Sequence, residues 1–266
     1  MEELPSTALK WPFPKTLNSR LWRLSSAIII GGTAAFSKIW LGWLNQKHVY
    51  NLDILEETFS RVKDTPLLTV TNHISCFDEP LVWGMLKWRH VMNSQLIRWA
   101  IGADEMCFYT WLLSQYFSKG KVIPVIRGNG VYQKGMNFAL DRLNDGQWVH
   151  IFPEGHVNDT GNICRLKWGV GRLIAESSKV PIVIPFWQLG LDDVLPNKRP
   201  YIPRIGKHVT INIGKPMFFN DIITEYRELK ETAIGARKRI TDRIQERFQE
   251  LKEETEKLHS MQDLTN

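Results

Sequence analysis

Between Leu67 and Ile213, short apolar runs of β type alternate with helix-type runs, and this alternation limits the fold more than any other feature of the chain. Strand candidates are Leu67–Thr71, Lys121–Ile126, Trp148–Phe152, Ile182–Trp187 and Val209–Ile213. Helix candidates are Asp53–Val62, Pro80–Trp88, Glu105–Ser118, Val131–Asn144 and Leu166–Ser178. Units joined in this order predict an α/β fold, with a mostly parallel or mixed central sheet flanked by helices. Functional groups in such sheets gather at the carboxyl ends of the strands. His73, Arg127 and Glu154 each fall just past a candidate strand, which places them at one site.

His73 is followed five residues later by Asp78, within Thr71-Asn72-His73-Ile74-Ser75-Cys76-Phe77-Asp78-Glu79-Pro80. On a continuous helix that spacing would set the two side chains about 140° apart. At a strand-to-helix junction the chain can fold back and bring them together. A carboxylate there fixes the imidazole tautomer and stabilises the imidazolium formed when His accepts a proton. Taken alone the pattern is common, and a structural histidine is the plainer reading. Ser75 and Cys76 lack the flanking glycines of a nucleophile elbow, so a covalent intermediate is disfavoured. No second His stands at ligand spacing, and no metal is expected.

Three later blocks sharpen the reading: K-V-I-P-V-I-R from Lys121, W-V-H-I-F-P-E-G from Trp148 and V-P-I-V-I-P from Val180. In this order after N-H-x-x-x-x-D they resemble the motif blocks of the glycerolipid acyltransferase family, from about Leu67 to Pro216. The resemblance implies acyl transfer, with His73 and Asp78 as the general-base pair. It further implies substrate contacts from Arg127 to a lipid phosphate, from Glu154 to a glycerol hydroxyl or as an orienting group, and from Gly155 and Asn72. Gly155 also offers a backbone N–H to an oxyanion, although a plain turn glycine and a capping Asn72 fit equally well. His150 reads as a packed strand residue, and His156 is undecided.

Ordinary members of the family follow F-P-E-G with Thr or Ser and then Arg; this chain has His156 and Val157. Together with G-V-Y-Q-K-G-M from Gly130, D-V-L-P-N from Asp193 and Lys10-Trp11-Pro12-Phe13-Pro14, this wording resembles a branch of the family that works without coenzyme A. That branch exchanges acyl chains between phospholipids and lysophospholipids. The implied substrates are cardiolipin, monolysocardiolipin and phosphatidylcholine, with no cofactor, on mitochondrial membranes facing the intermembrane space. An acyl-coenzyme A-dependent lysophospholipid acyltransferase is the alternative within the enzyme class. A non-catalytic lipid-binding membrane protein is the alternative outside it, and the intact His73–Asp78 pair argues against it.

Charge and hydropathy set the surroundings. The chain of 266 residues has a net charge of +6, which suits an anionic membrane surface at about 1 kcal/mol per well-placed Lys or Arg. No segment reads as a nucleic-acid recognition helix, so nucleic acid is not an expected partner. Leu24 to Leu44 is apolar but interrupted by Lys38 and by glycines at 31, 32 and 42. It predicts a monotopic, membrane-interfacial helix rather than a span of roughly 20 residues, with Trp11, Trp22, Trp40 and Trp43 at headgroup level. Glu2 and Glu3 argue against a signal peptide. Asp221 to Leu258 is charge-dense with apolar residues at helical spacing and predicts one long helix or two. The resulting division is an N-terminal membrane-anchoring segment at 1–50, an acyltransferase core at 51–216 and a C-terminal helical extension at 217–266.

Overall fold

The computed structural model describes residues 11–62 and 64–263. Glu2, Glu3 and Lys10 lie outside the described residues. In chain order the strands are β1 (Gln46–Tyr50), β2 (Leu67–Thr71), β3 (Trp99–Ala103), β4 (Val122–Val125), β5 (Trp148–Ile151), β6 (Ile182–Leu189) and β7 (His208–Ile213). The first helices are α1 (Arg20–Ile39), α2 (Leu52–Glu57), α3 (Asp78–Val82), α4 (Trp88–Val91), α5 (Asp104–Cys107) and α6 (Trp111–Lys119). They are followed by α7 (Lys134–Asn144), α8 (Gly169–Ala175), α9 (Leu191–Val194), α10 (Asn220–Arg227) and α11 (Ala233–Asp263).

The strands form one mixed sheet in the order β1-β7-β6-β2-β5-β3-β4. Every neighbouring pair is parallel except β6 and β7. All five strand candidates are present, and β1 and β3 join them. Both sheet faces are covered, which explains why β2 is buried along its whole length. On one face Leu68, Val70 and Val149 pack with α7, α8, α10 and α11. On the other, Leu67, Ile184 and Ile211 pack with α1, α2 and α3.

The helices are more broken than their apolar spacing predicts. Pro80–Trp88 becomes α3, a single 3-10 turn at Trp83–Met85, and the start of α4. Gly84 lies so close to α1 that a Cβ there would stand 2.7 Å from the Ser37 carbonyl oxygen. The C-terminal region forms two helices, parted near Leu229, which adopts φ 59°. The elements flanking the central core are built into the sheet domain: β1 pairs with β7, and α11 packs on α8, β6 and β7.

Ser19 caps α1, its hydroxyl accepting from the Trp22 N–H. Beyond Ile39 the helix runs on as a π-helical turn, Trp40–Leu44. Residues Arg20–Leu44 are long and apolar enough to cross a membrane by length and composition. One face, with Ile30, Ala34 and Leu41, is buried against the domain. The opposite face exposes Leu21, Leu24, Ile28, Phe36, Ile39 and Trp43. The four tryptophans expected at headgroup level differ in their surroundings. Trp11 and Trp22 pack with Phe13, and Trp40 stacks on Phe36 and packs against the core, because aromatic partners are within reach. Trp43 is the one of the four that is largely exposed, at 84%.

Candidate functional site

The parallel pairing of β2 with β5 aligns Val70 with Ile151. Three residues further along each strand come His73 and Glu154, so the register sets them side by side at the carboxyl edge. The Glu154 Oε1 accepts the His73 backbone N–H at 2.8 Å. The chain then turns into α3, which brings Asp78 back under the imidazole. His73 Nδ1 lies 2.8 Å from Asp78 Oδ2, as the junction predicts. The same oxygen accepts the backbone N–H groups of Ile74 at 2.6 Å and Ser75 at 2.9 Å. Asp78 is fully buried, so its orientation is fixed by these donors. The His73 ring stacks on Phe152 at 4.1 Å between centroids. With Nδ1 engaged, Nε2 is the nitrogen left to meet a substrate hydroxyl.

His73 lines a cavity of about 1160 Å³ between the sheet's carboxyl edge, α1 and α6. That exceeds the ~300–1,000 Å³ of sites for drug-sized ligands. Its walls include Ala34 of α1, Phe117 of α6, Ile101 and Met136, a lining suited to an apolar chain. One buried ion pair interrupts it: Arg98 contacts Glu79, which also accepts from Trp83 Nε1 at 3.2 Å. Burial pushes the Cys107 thiol in the same wall up to about 12, so it stays protonated at neutral pH.

The other expected site residues take varied positions. Arg127 lines the cavity mouth, where its Nε donates to the Gly155 carbonyl at 2.8 Å and its Nη1 to Glu105 at 3.1 Å. Gly155 also lines the mouth, but its N–H donates to the Phe152 carbonyl at 3.1 Å. The offered oxyanion contact is therefore already taken, and φ of 75° makes this a turn glycine. Asn72 is buried, its amide clamping β6: Nδ2 donates to the Gln188 carbonyl at 2.9 Å, and Oδ1 accepts the Gln188 N–H at 2.9 Å. That geometry holds strands together and offers nothing to a substrate. Glu154 is buried too; its Oε2 accepts from Asn158 Nδ2 at 2.7 Å and from the Cys164 thiol at 3.2 Å. Of the two roles expected for Glu154, the contacts fit the orienting one. His150 is fully buried beneath Phe152 with Nδ1 2.9 Å from Thr69 Oγ1, and burial first, then Arg98 and His73, hold it well below the usual imidazole range. His156 is exposed beside the mouth.

Sequence reasoning missed Asn158 and Lys167. Asn158 donates its backbone N–H to the His73 carbonyl at 2.7 Å and its amide to both Glu154 and the Asn162 carbonyl. Its position inside the F-P-E-G-H-V-N block was the available signal. Lys167 lines the mouth, and no local pattern marks it. Among the described residues no group of three or more His, Cys, Asp or Glu is arranged to hold a metal ion.

The acyltransferase family model matches residues 47–187. The chain is 46% identical over 253 residues to tafazzin from Drosophila melanogaster, covering 94% of this chain and 67% of that one. It is 38% identical to an N-acylphosphatidylethanolamine synthase from Arabidopsis thaliana, covering 82% and 78% respectively. The crystal structure of a 1-acyl-sn-glycerophosphate acyltransferase from Thermotoga maritima has the same fold, with a TM-score of 0.54 at 18% identity over 87% of this chain and 95% of that one.

Proposed function

The chain belongs to the acyltransferase family, among its tafazzins, and from that premise we propose that it moves acyl chains between phospholipids and lysophospholipids without coenzyme A, remodelling cardiolipin. The single observation that carries this reading is the buried-Asp78–His73 pair on the wall of a lipid-sized cavity. The acceptor hydroxyl of a lysophospholipid is the nucleophile. As it attacks the donor ester carbonyl, His73 Nε2 takes its proton and Asp78 stabilises the imidazolium. The tetrahedral intermediate collapses, the C–O bond to the donor glycerol breaks, and the departing alkoxide takes the proton from Nε2. One ester replaces another, so the exchange is near thermal balance and reversible and needs no activated donor.

The other roles follow from position. Arg127 at the mouth presents a planar guanidinium to a lipid phosphate. Glu154 and Asn158 hold the His73 backbone. The α1 helix lies on the membrane without crossing it, since its inner face is tied to the domain: Ser26 Oγ donates to the Lys119 carbonyl at 2.7 Å, and Lys38 Nζ to the Leu86 carbonyl. The proposed place is the mitochondrial membrane surface facing the intermembrane space. Accessible tags at both ends of Arg20–Leu44 are expected on the same side of a sealed bilayer, and opposite sides would overturn the monotopic reading.

The activity is tested with labelled phosphatidylcholine and monolysocardiolipin, with and without coenzyme A. Transfer at equal rates in both supports the proposal, and an absolute requirement for acyl-coenzyme A overturns it. The plant relative favours a second reading, in which the acceptor is the amine of phosphatidylethanolamine; an N-acylated product in the same assay would establish it.

A further inference from the structure

We propose that Lys167 is a second phosphate-binding cation at the cavity mouth, and that with Arg127 it favours a lysolipid acceptor carrying two phosphates. The inference rests on the acyl-exchange reading above and deepens it by naming what selects the acceptor.

The geometry is local. The Lys167 backbone N–H donates to the Pro153 carbonyl at 2.7 Å, which pins the residue to the turn after β5. Its side chain runs along Gly155: a Cβ there would stand 3.2 Å from Lys167 Cγ and 3.7 Å from Cε. On the same glycine, the carbonyl accepts Arg127 Nε at 2.8 Å. Two cations from different segments thus converge on one turn, and both line the cavity that holds His73. The one permanent charge in the turn, Glu154, is buried and engaged by the His73 N–H, Asn158 and Cys164, and the residues that follow Gly155, His156 and Val157, add none.

The two cations are not equivalent. Arg127 is paired with Glu105 at 3.1 Å. Among the described residues no carboxylate forms an ion pair with Lys167, whose side chain is exposed at the mouth. An ammonium placed beside an apolar cavity and lacking a protein counterion suits an anionic headgroup. A single phosphate can engage Arg127 and leave Lys167 solvated. An acceptor with two phosphates engages both, whereas a zwitterionic acceptor brings its own cation toward Lys167 and gains little.

The test compares wild type, Lys167→Met and Lys167→Arg with monolysocardiolipin or lysophosphatidylcholine as acceptor, in phosphatidylcholine vesicles. Lys179→Met serves as the charge control. Lys179 precedes β6 and so lies at the amino end of the strands, away from the mouth. Loss of one lysine–phosphate contact of about 1 kcal/mol corresponds to roughly a fivefold rise in KM for monolysocardiolipin. The kcat stays within about twofold, the KM for lysophosphatidylcholine is nearly unchanged, and Lys167→Arg restores most of the loss. Equal changes for both acceptors, or none, overturn the proposal. If wild type requires acyl-coenzyme A, the coenzyme-independent reading fails, and the same KM comparison is made with that donor. If no transfer is seen, co-sedimentation with vesicles containing either lysolipid reads the same preference, and Lys167→Met binding both as wild type does overturns it.

Discussion

The loops at the carboxyl edge of β2 and β5 and the α1–α6 wall of the cavity would meet the proposed lipid substrate through opposite physics. In the loops most polar atoms have an assigned partner, the buried Asp78 Oδ1 being an exception. Asp78 Oδ2 accepts from an imidazole and two backbone amides. Asn158 ties Glu154, Asn162 and the His73 backbone together, and its own Oδ1 accepts from the Thr160 N–H and hydroxyl. Such a network over-determines the position of one imidazole, so losing a single member leaves a buried group unpaired. The wall instead presents Ile30, Ala34 and Phe117 inward, while α1 and α6 turn Ile28, Trp111 and Leu112 outward. Dispersion and burial there are non-directional and tolerate rearrangement. The contrast teaches that chemistry should fail abruptly when the loops change, whereas lipid selection and membrane attachment should drift gradually when the wall changes.

The largest expected effect tests the first half of that contrast. His73→Ala removes the proposed base, and the transfer rate should fall by about 10²–10⁴ in a variant that still folds, with a modestly lowered thermal melt because buried Asp78 loses a donor. Near-native turnover by the folded variant would take His73 out of the reaction. Asp78→Asn keeps an oxygen for the Ile74 and Ser75 amides but has no charge to hold an imidazolium. Its loss of kcat should approach that of His73→Ala. A step smaller is Asn158→Ala, which touches no substrate. Releasing the loop misplaces His73 and should lower kcat by roughly 10² while KM holds. It should also cost about 1–3 kcal/mol of stability, because Glu154 Oε2 loses its amide donor. A denaturant melt and single-turnover kinetics separate the two effects, and a fall in KM-limited rates alone would contradict a positioning role.

The sheet was largely legible because its central strands are continuous apolar runs buried on both faces. β1 escaped notice since Gln-Lys-His-Val-Tyr is a polar edge strand, only partly covered. β3 is Trp-Ala-Ile-Gly-Ala, short of β-branched residues, and exists because β4 and β5 pair with it. His73 and Asp78 were legible because five residues of local chain contain the whole device. Asn72 and Glu154 carried no such local information. What turns Asn72 inward is Gln188, 116 residues away in sequence, and Glu154 is met by His73 at a separation of 81. Lys167 was invisible for the same reason: only the turn at Gly155 gives it a role.

The wall should respond by degrees. Ala34 of α1 is buried and borders the cavity, so Ala34→Leu adds about three carbons to its floor. Long-chain donors should lose several-fold in kcat/KM relative to short ones, since about 0.8 kcal/mol accompanies each buried methylene that no longer fits. The short-chain kcat should stay near wild type. An equal loss for all chain lengths would mean that α1 supports the catalytic loops directly, and the two regions would have to be treated as one.

The smallest effect concerns Lys38, the half-buried cation of α1, whose other two, Arg20 and Arg23, are exposed. Lys38 donates to the Leu86 carbonyl and lies 5.7 Å from the centre of the Trp88 ring. Desolvation, reinforced by Lys47, brings its pKa from 10.5 down to about 8, with Glu56 pulling the other way. In the unfolded chain Lys38 keeps its proton up to about 10.5, so between pH 8 and 10.5 the unfolded state binds more protons than the folded one. This group's contribution to stability therefore rises with pH across that window and is at its least favourable below it. Partial exposure weakens the effect, and the melting temperature of detergent-solubilised protein should change by no more than about 3 °C. Lys38→Met should remove that component and make the melt at pH 7.5 and at pH 10 differ less than in wild type. A difference as large in Lys38→Met as in wild type would assign the slope to another group. Lys38 would then be a solvated headgroup-level lysine, and the Arg98–Glu79 pair would remain as the buried charge of the wall.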